Sequence, residues 1–231
     1  MNYYQEITLL PDPDITLGFL WQKIYQQLHI ALVDNKVNQT QSAIAVAFPE
    51  YACSNFHLGK KLRLLAVERE QLSQLHIEQW LARFSDYVHI KSIQAVPSRV
   101  KPVSNIQWQF SNGKTVPSRV KPVSYIRQHI KGENRIRQAM LSKAQRWSAK
   151  TGKPLIECLK QLENTRPQKQ CDLPFIWLES QQTKQQIGKH NKFPLFIKQI
   201  EKKEAKNGPF TCYGLSQSMS NQELIATVPH F

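Results

Sequence analysis

Apolar residues return every three or four positions between residues 15 and 33, at Leu17, Leu20, Trp21, Ile24, Leu28, Ala31 and Leu32, and this spacing predicts an amphipathic helix. Shorter stretches around it read as strands. Residues 3–10 (YYQEITLL) are stopped by the two prolines of PDPD at 11–14, which also offers Asp14 as a helix cap. Residues 42–49 form a continuous apolar run, 61–67 alternate at their start, and 87–96 alternate again. Between the last two, Leu72, Leu75, Trp80, Leu81 and Phe84 suggest a second helix.

The order βαββαβ within residues 1–96 is the ferredoxin-like arrangement, whose sheet often serves as a nucleic-acid platform. After it the pattern changes. VPSRVKPVS occurs at 96–104 and again, letter for letter, at 116–124. Two copies do not make a solenoid, and a tandem duplication that lengthened a surface loop accounts for them better than a second contact site does. From Arg127 to Lys150 a helical pattern follows: Arg135, Ile136, Met140, Leu141 and Ala144 recur at helical spacing, with Arg137, Lys143, Arg146 and Lys150 on the other faces. A further helical stretch lies at 155–162, and 173–180, 193–201, 208–216 and 226–231 read as strands. The expected fold is α+β: a ferredoxin-like domain at 1–96, a linker or insert at 97–126, and a smaller α+β domain at 127–231 bearing the basic helix.

Charge sharpens this picture. The chain carries a formal +14, with pI ≈ 9.7, and 41% hydrophobic and 10% aromatic residues argue against disorder. Between Arg99 and Lys153 there are 13 Lys or Arg against one acid, Glu133, so this segment holds nearly all of the excess. A solvated helix face usually mixes signs; this one does not. Nucleic acid is the first partner such a segment suggests, and an anionic membrane surface the second. No run reaches the roughly 18 apolar residues of a membrane span, and the first ten residues have no positive leader region, so a cytoplasmic protein is expected. Cys53, Cys158, Cys171 and Cys212 have no C-x-x-C spacing, which fits free thiols in a reducing compartment.

Among the seven histidines, His29 stands out at the border of the apolar stripe, with Tyr25 one turn earlier on the same edge. A structural role is the common fate of such a histidine. His129 lies inside the basic stretch, where contact with a base or phosphate fits. There is no phosphate-cradling glycine loop, no H-E-x-x-H and no G-x-S-x-G. Asp12 and Asp14 form the single D-x-D, explained by a proline-rich turn, and the converging carboxylates of a two-metal nuclease are not evident. RNA needs none of these, because its 2′-hydroxyl is a built-in nucleophile and His, Tyr and Ser suffice to move the protons.

At this point the chain resembles the CRISPR-associated endoribonucleases of subtype I-F, which cut precursor CRISPR RNA within its repeats. The resemblance rests on YYQEITLLPDPD, KIYQQLHIALV around His29, VAFPEY, LGKKLRL, LPFIWLESQQT, GPFTCYGLS and the terminal VPHF, all in the family's order. It implies that His29 is the catalytic histidine, as base or acid, that Tyr213 positions it and that Ser180 holds the reacting ribose. It further implies that Phe193 stacks on the closing base pair, and that Arg127, with Gln128 or His129, and Lys131 belong to an RNA-reading linker. Arg135, Arg137, Lys143 and Arg146 then lie on a basic helix in the hairpin's major groove.

Metal-independent cleavage at the 3′ side of the stem is implied, with no cofactor, and retention on the hairpin as one subunit of an RNA-guided type I-F surveillance complex. No membrane partner and no direct reading of target DNA are expected. The chain departs from the family at Gln182, where a second serine is common. The competing readings are a hairpin-binding structural subunit that cuts slowly or not at all, and a generic basic RNA chaperone.

Overall fold

In chain order the elements are β1 (Tyr3–Leu9), α1 (Leu17–Asp34), β2 (Gln41–Ser42), β3 (Ala45–Ala47), β4 (Lys61–Ala66), α2 (Arg69–Leu75), α3 (Ile77–Trp80), a 3-10 turn (Ala82–Tyr87), β5 (Val88–Ile90) and β6 (Gln94–Ala95). Then come β7 (Lys121–Gln128), α4 (Glu133–Thr151), α5 (Leu155–Asn164), β8 (Phe175–Glu179), β9 (Lys192–Glu201), β10 (Phe210–Thr211) and β11 (Val228–His230). The computed structural model describes residues 1–52, 56–97, 120–130, 133–165, 172–180, 191–217 and 225–231. Lys131, Gln182, Cys53, Cys171, most of the first nonapeptide copy and residues 116–119 of the second lie outside them.

β1 is the hub of the first sheet. It pairs antiparallel with β4 on one side and with β5 and β6 on the other, and β3 adds beyond β4, giving the order β3-β4-β1-β5 of a ferredoxin-like sheet. The helix predicted over 15–33 is α1, which buries Leu20, Trp21, Ile24, Tyr25, Leu28, Ala31 and Leu32. Its cap is Thr16, whose side chain accepts from the Phe19 amide at 3.4 Å. Asp14 does not cap it; Asp12 Oδ1 instead accepts from the amides of Asp14 (3.0 Å) and Ile15 (2.7 Å), folding the D-x-D into a turn. The second expected helix breaks at His76, which sits at φ 48° between α2 and α3.

The second sheet has the order β11-β7-β9-β8, and β2 pairs with β10 beside it. Its central strand β7 was unexpected. Residues 121–124, the KPVS of the second nonapeptide copy, belong to it and not to a surface loop: Val123 and Ser124 are buried, and Ser124 Oγ donates to the Ala226 carbonyl at 2.7 Å. Pro122 lies near the strand's start, where a missing N–H is tolerated. The two sheets share one core, joined by Tyr125 Oη donating to the Phe48 carbonyl (2.9 Å) and Tyr51 Oη to the Ile197 carbonyl (2.9 Å).

Contacts group Met1–Gln128 with Leu173–Phe231 in one unit and leave His129–Asp172 as another, a different cut from the three segments expected from the pattern. The second unit is a helical hairpin of α4 on α5. Gly152, at φ 71°, ends α4 and donates its N–H to the Ser148 carbonyl at 2.8 Å, a left-handed stop that suits glycine. Within it Ala144 is buried and Ile136, Met140 and Trp147 are half-buried, while Arg135, Arg137, Lys143, Arg146 and Lys150 are exposed. Arg135 and Leu141 therefore leave the expected apolar stripe, and Trp147 replaces them.

On the first sheet's other face, buried Glu6 accepts from Arg63 (2.8 Å) and Lys91 (2.7 Å), and Arg63 also donates to the Phe231 backbone oxygen. Burial raises the Glu6 carboxyl, but the two cations outweigh it and hold it below the usual carboxylate range. Glu6→Leu is expected to cost about 3–5 kcal/mol at pH 7, read by urea denaturation, because it strands the guanidinium of Arg63. Since the folded-state pKa is depressed, the contribution is present above the unfolded carboxylate pKa and lost as pH falls through the folded one, so mutant and wild type converge in acid.

Candidate functional site

His29 lies one residue past the buried Leu28, so α1 carries it to the rim of the core, half-exposed. Its Nδ1 is 2.9 Å from the carbonyl oxygen of Cys212. A carbonyl only accepts, so Nδ1 bears the proton and the lone pair of the neutral ring sits on Nε2. The ring stacks face to face on Tyr213, with centroids 4.2 Å apart and planes 8° from parallel. Burial lowers the His29 pKa, the Cys212 hydrogen bond opposes it, and the Arg127 cation lowers it further. The net is below the ordinary histidine range, which leaves the imidazole neutral at pH 7.

The turn that supplies both the carbonyl and the stacking ring, residues 210–216, is tied down on several sides. The Leu215 carbonyl accepts from the Thr211 N–H at 2.8 Å and from its Oγ1 at 3.1 Å, and the Thr211 carbonyl accepts from the Gly214 N–H at 2.7 Å. Gly214 sits at φ 69°, where a Cβ would come within 2.2 Å of Val46 Cγ2, and its carbonyl accepts from the Val46 amide at 2.7 Å. A glycine is required here both by backbone conformation and by the closeness of β3. Tyr25 reaches the same turn from α1, its Oη donating to the Tyr213 carbonyl at 2.8 Å.

Arg127, from β7, lies with its guanidinium 5.3 Å from the Tyr213 ring and 5.4 Å from the Phe193 ring of β9. Such cation–π contacts hold a guanidinium that has no ion-pair partner among the described residues over aromatic surface. Ser180 follows β8, its amide donating to the Asn191 carbonyl at 3.0 Å. The residue before it, Glu179, donates its amide to Gln26 Oε1 of α1 at 2.8 Å, while the buried Nε2 of Gln26 has no partner among the described residues.

His29, Tyr213, Arg127 and Phe193 thus touch in one chain of contacts, and Ser180 is connected to the same helix through Gln26. Gln128 is half-buried at the end of β7, and His129, Arg135, Arg137, Lys143 and Arg146 are exposed in the helical unit; Lys131 is outside the described residues. Sequence reasoning missed the Cys212 carbonyl, Gln26 and Gly214. A glycine inside an otherwise apolar and aromatic strand pattern was the available sign. Among the described residues no three His, Cys, Asp or Glu side chains gather as a metal-ligand set.

The family model described as CRISPR-associated protein (Cas_Csy4) matches residues 4–112 and 107–231, meeting between the two nonapeptide copies. The chain is 30% identical over 220 residues to the CRISPR-associated endonuclease Cas6/Csy4 of Pseudomonas aeruginosa (strain UCBPP-PA14), covering 94% of this chain and 96% of that one. It is 29% identical over 240 residues to the protein of the same name from Escherichia coli (strain UTI89 / UPEC), covering 100% of both.

The titration of His29 is directly measurable. In a pH series followed by imidazole NMR signals, His29 is expected to protonate below the ordinary histidine range. Arg127→Ala removes a repelling cation and is expected to move that midpoint upward; a downward move would mean the guanidinium does not act on the ring.

Proposed function

The chain belongs to the CRISPR-associated Csy4 family, and on that premise we propose that it is an endoribonuclease that cuts precursor CRISPR RNA at the 3′ side of the repeat stem-loop without a metal ion. The 2′-oxygen attacks the adjacent phosphorus, the bond from phosphorus to the 5′-oxygen breaks, and the products are a 2′,3′-cyclic phosphate and a 5′-hydroxyl. His29 takes the 2′-hydroxyl proton or returns one to the leaving oxygen. The observation that supports this most is the imidazole itself: Nδ1 is committed to the Cys212 carbonyl, Nε2 is left as the acceptor, and the ring is neutral at working pH. General acid–base help of this kind is worth about 10²- to 10⁴-fold in rate.

Tyr213 holds the ring plane by stacking, and Ser180 is assigned to the reacting ribose. Phe193 offers a face for the terminal base pair and Arg127 donors for base edges, with Gln128, His129 and Lys131 in the same reading linker. The exposed cations of α4, Arg135, Arg137, Lys143 and Arg146, suit a helix in an RNA groove. A whole helix is apt, since isolated side chains read the deep, narrow groove of A-form RNA poorly. The enzyme then stays on the cleaved hairpin as a subunit of the type I-F effector complex.

The test is one cleavage series on labelled type I-F repeat RNA in EDTA. Wild type is expected to give a single cut with 2′,3′-cyclic phosphate ends, and His29→Ala to lose about 10²-fold or more in rate with hairpin affinity unchanged. Cleavage abolished by chelator, or equal in both proteins, overturns the assignment. On the binding side, Arg146→Ala is expected to lower the slope of log affinity against log salt by about one and to weaken binding to all hairpins alike.

A further inference from the structure

Two side chains that the proposed reaction does not use lie next to each other on α1, one turn before His29. Tyr25 is fully buried, stacked near Phe48 with centroids 6.2 Å apart, and its one polar atom is spent on the Tyr213 carbonyl. A phenylalanine would fill the same space. The hydroxyl therefore serves the turn, and it grips the carbonyl directly after the one that His29 Nδ1 grips. Gln26 spends its oxygen on the amide of Glu179, the residue before Ser180, while its buried nitrogen has no partner among the described residues. That is a poor arrangement for stability alone, because half of the amide gains nothing from being buried.

Resting on the reading above, we propose that Tyr25 and Gln26 are positioning residues: Tyr25 fixes the turn that orients His29, and Gln26 fixes the strand end that presents Ser180. Neither meets RNA. Helix α1 then serves as a jig, setting the base, its stacking partner and the ribose-holding serine from three positions within five residues. Against the imidazole itself stand Arg127 from β7, the Tyr213 ring and the Cys212 carbonyl from the turn; one step out are Tyr25 on its own helix, Lys36 acting on the Cys212 thiol, and Glu179 after Gln26 on the β8 side, paired with Lys192 at 3.7 Å. Of the contacts acting on His29, the Cys212 carbonyl favours the protonated ring, and it is the one that the Tyr25 hydroxyl steadies.

The experiment uses full-length protein and labelled type I-F repeat RNA under single-turnover conditions. Tyr25→Phe and Gln26→Leu are each expected to slow cleavage about 5- to 30-fold while hairpin affinity stays within about twofold, since small misplacements of reacting groups cost rate before binding. Tyr25→Phe should also shift the limb of the pH–rate profile set by His29 to lower pH, because a loosened turn weakens the bond that favours the imidazolium. Gln26→Leu should leave that limb in place. Trp21→Phe is the control, removing another buried α1 hydrogen bond, from Nε1 to the Gly59 carbonyl at 2.8 Å, while keeping an aromatic ring beside Tyr25; it should lower the melting temperature and leave rate and pH profile unchanged. Tyr25→Phe or Gln26→Leu behaving like Trp21→Phe overturns the proposal. A wild-type protein that binds but does not cut removes the reaction itself, and with it any role in positioning.

Discussion

A single backbone carbonyl, that of Cys212, decides which nitrogen of His29 is free. Without it the neutral imidazole is divided between two tautomers, and burial alone lowers its pKa with no directional gain. With it, the proton is committed to Nδ1 and the lone pair to Nε2. Everything that fixes this carbonyl in space, from the left-handed glycine two residues on to the hydroxyl of Tyr25, acts on the chemistry of a ring it does not touch.

The fold earns that precision by letting two sheets share one core. The turn at 210–216 leaves the side of the second sheet and is pressed onto β3 of the first, so the histidine comes from a ferredoxin-like helix and its partners from the chain's far end. Arg127 and Phe193 arrive on β7 and β9, neighbouring strands in register. A helical hairpin that exposes Arg135, Arg137, Lys143, Arg146 and Lys150 forms its own contact unit. The basic charge and the histidine are therefore written in different parts of the sequence, which is why they looked unrelated when met along the chain.

Periodicity made the first half legible. α1 and the four main strands of the first sheet are strong signals because one face is buried throughout, and His29 announced itself by falling at the edge of that stripe. β7 was hidden: a basic, proline-bearing stretch that repeats an earlier segment reads as loop, and only burial of Val123, Ser124, Tyr125 and Ile126 between two neighbours shows a central strand. The single helix expected between β4 and β5 is broken by a left-handed His76, which no propensity scale marks. At the site, residue types could be recognised, but the acceptor for Nδ1 is a main-chain oxygen. Such an atom carries no letter in a sequence.

The twin nonapeptide gains a different meaning from β7. Its second copy runs into the strand, with KPVS continuing as YIRQ up to the linker, so the ladder depends on those letters. Excision of one unit, residues 96–115, through pairing of the two identical tracts rejoins the chain at the same Val-Pro and leaves the strand's spelling untouched. Such an excision keeps every letter of β7, and with it the residues that ladder onto β9 and β11.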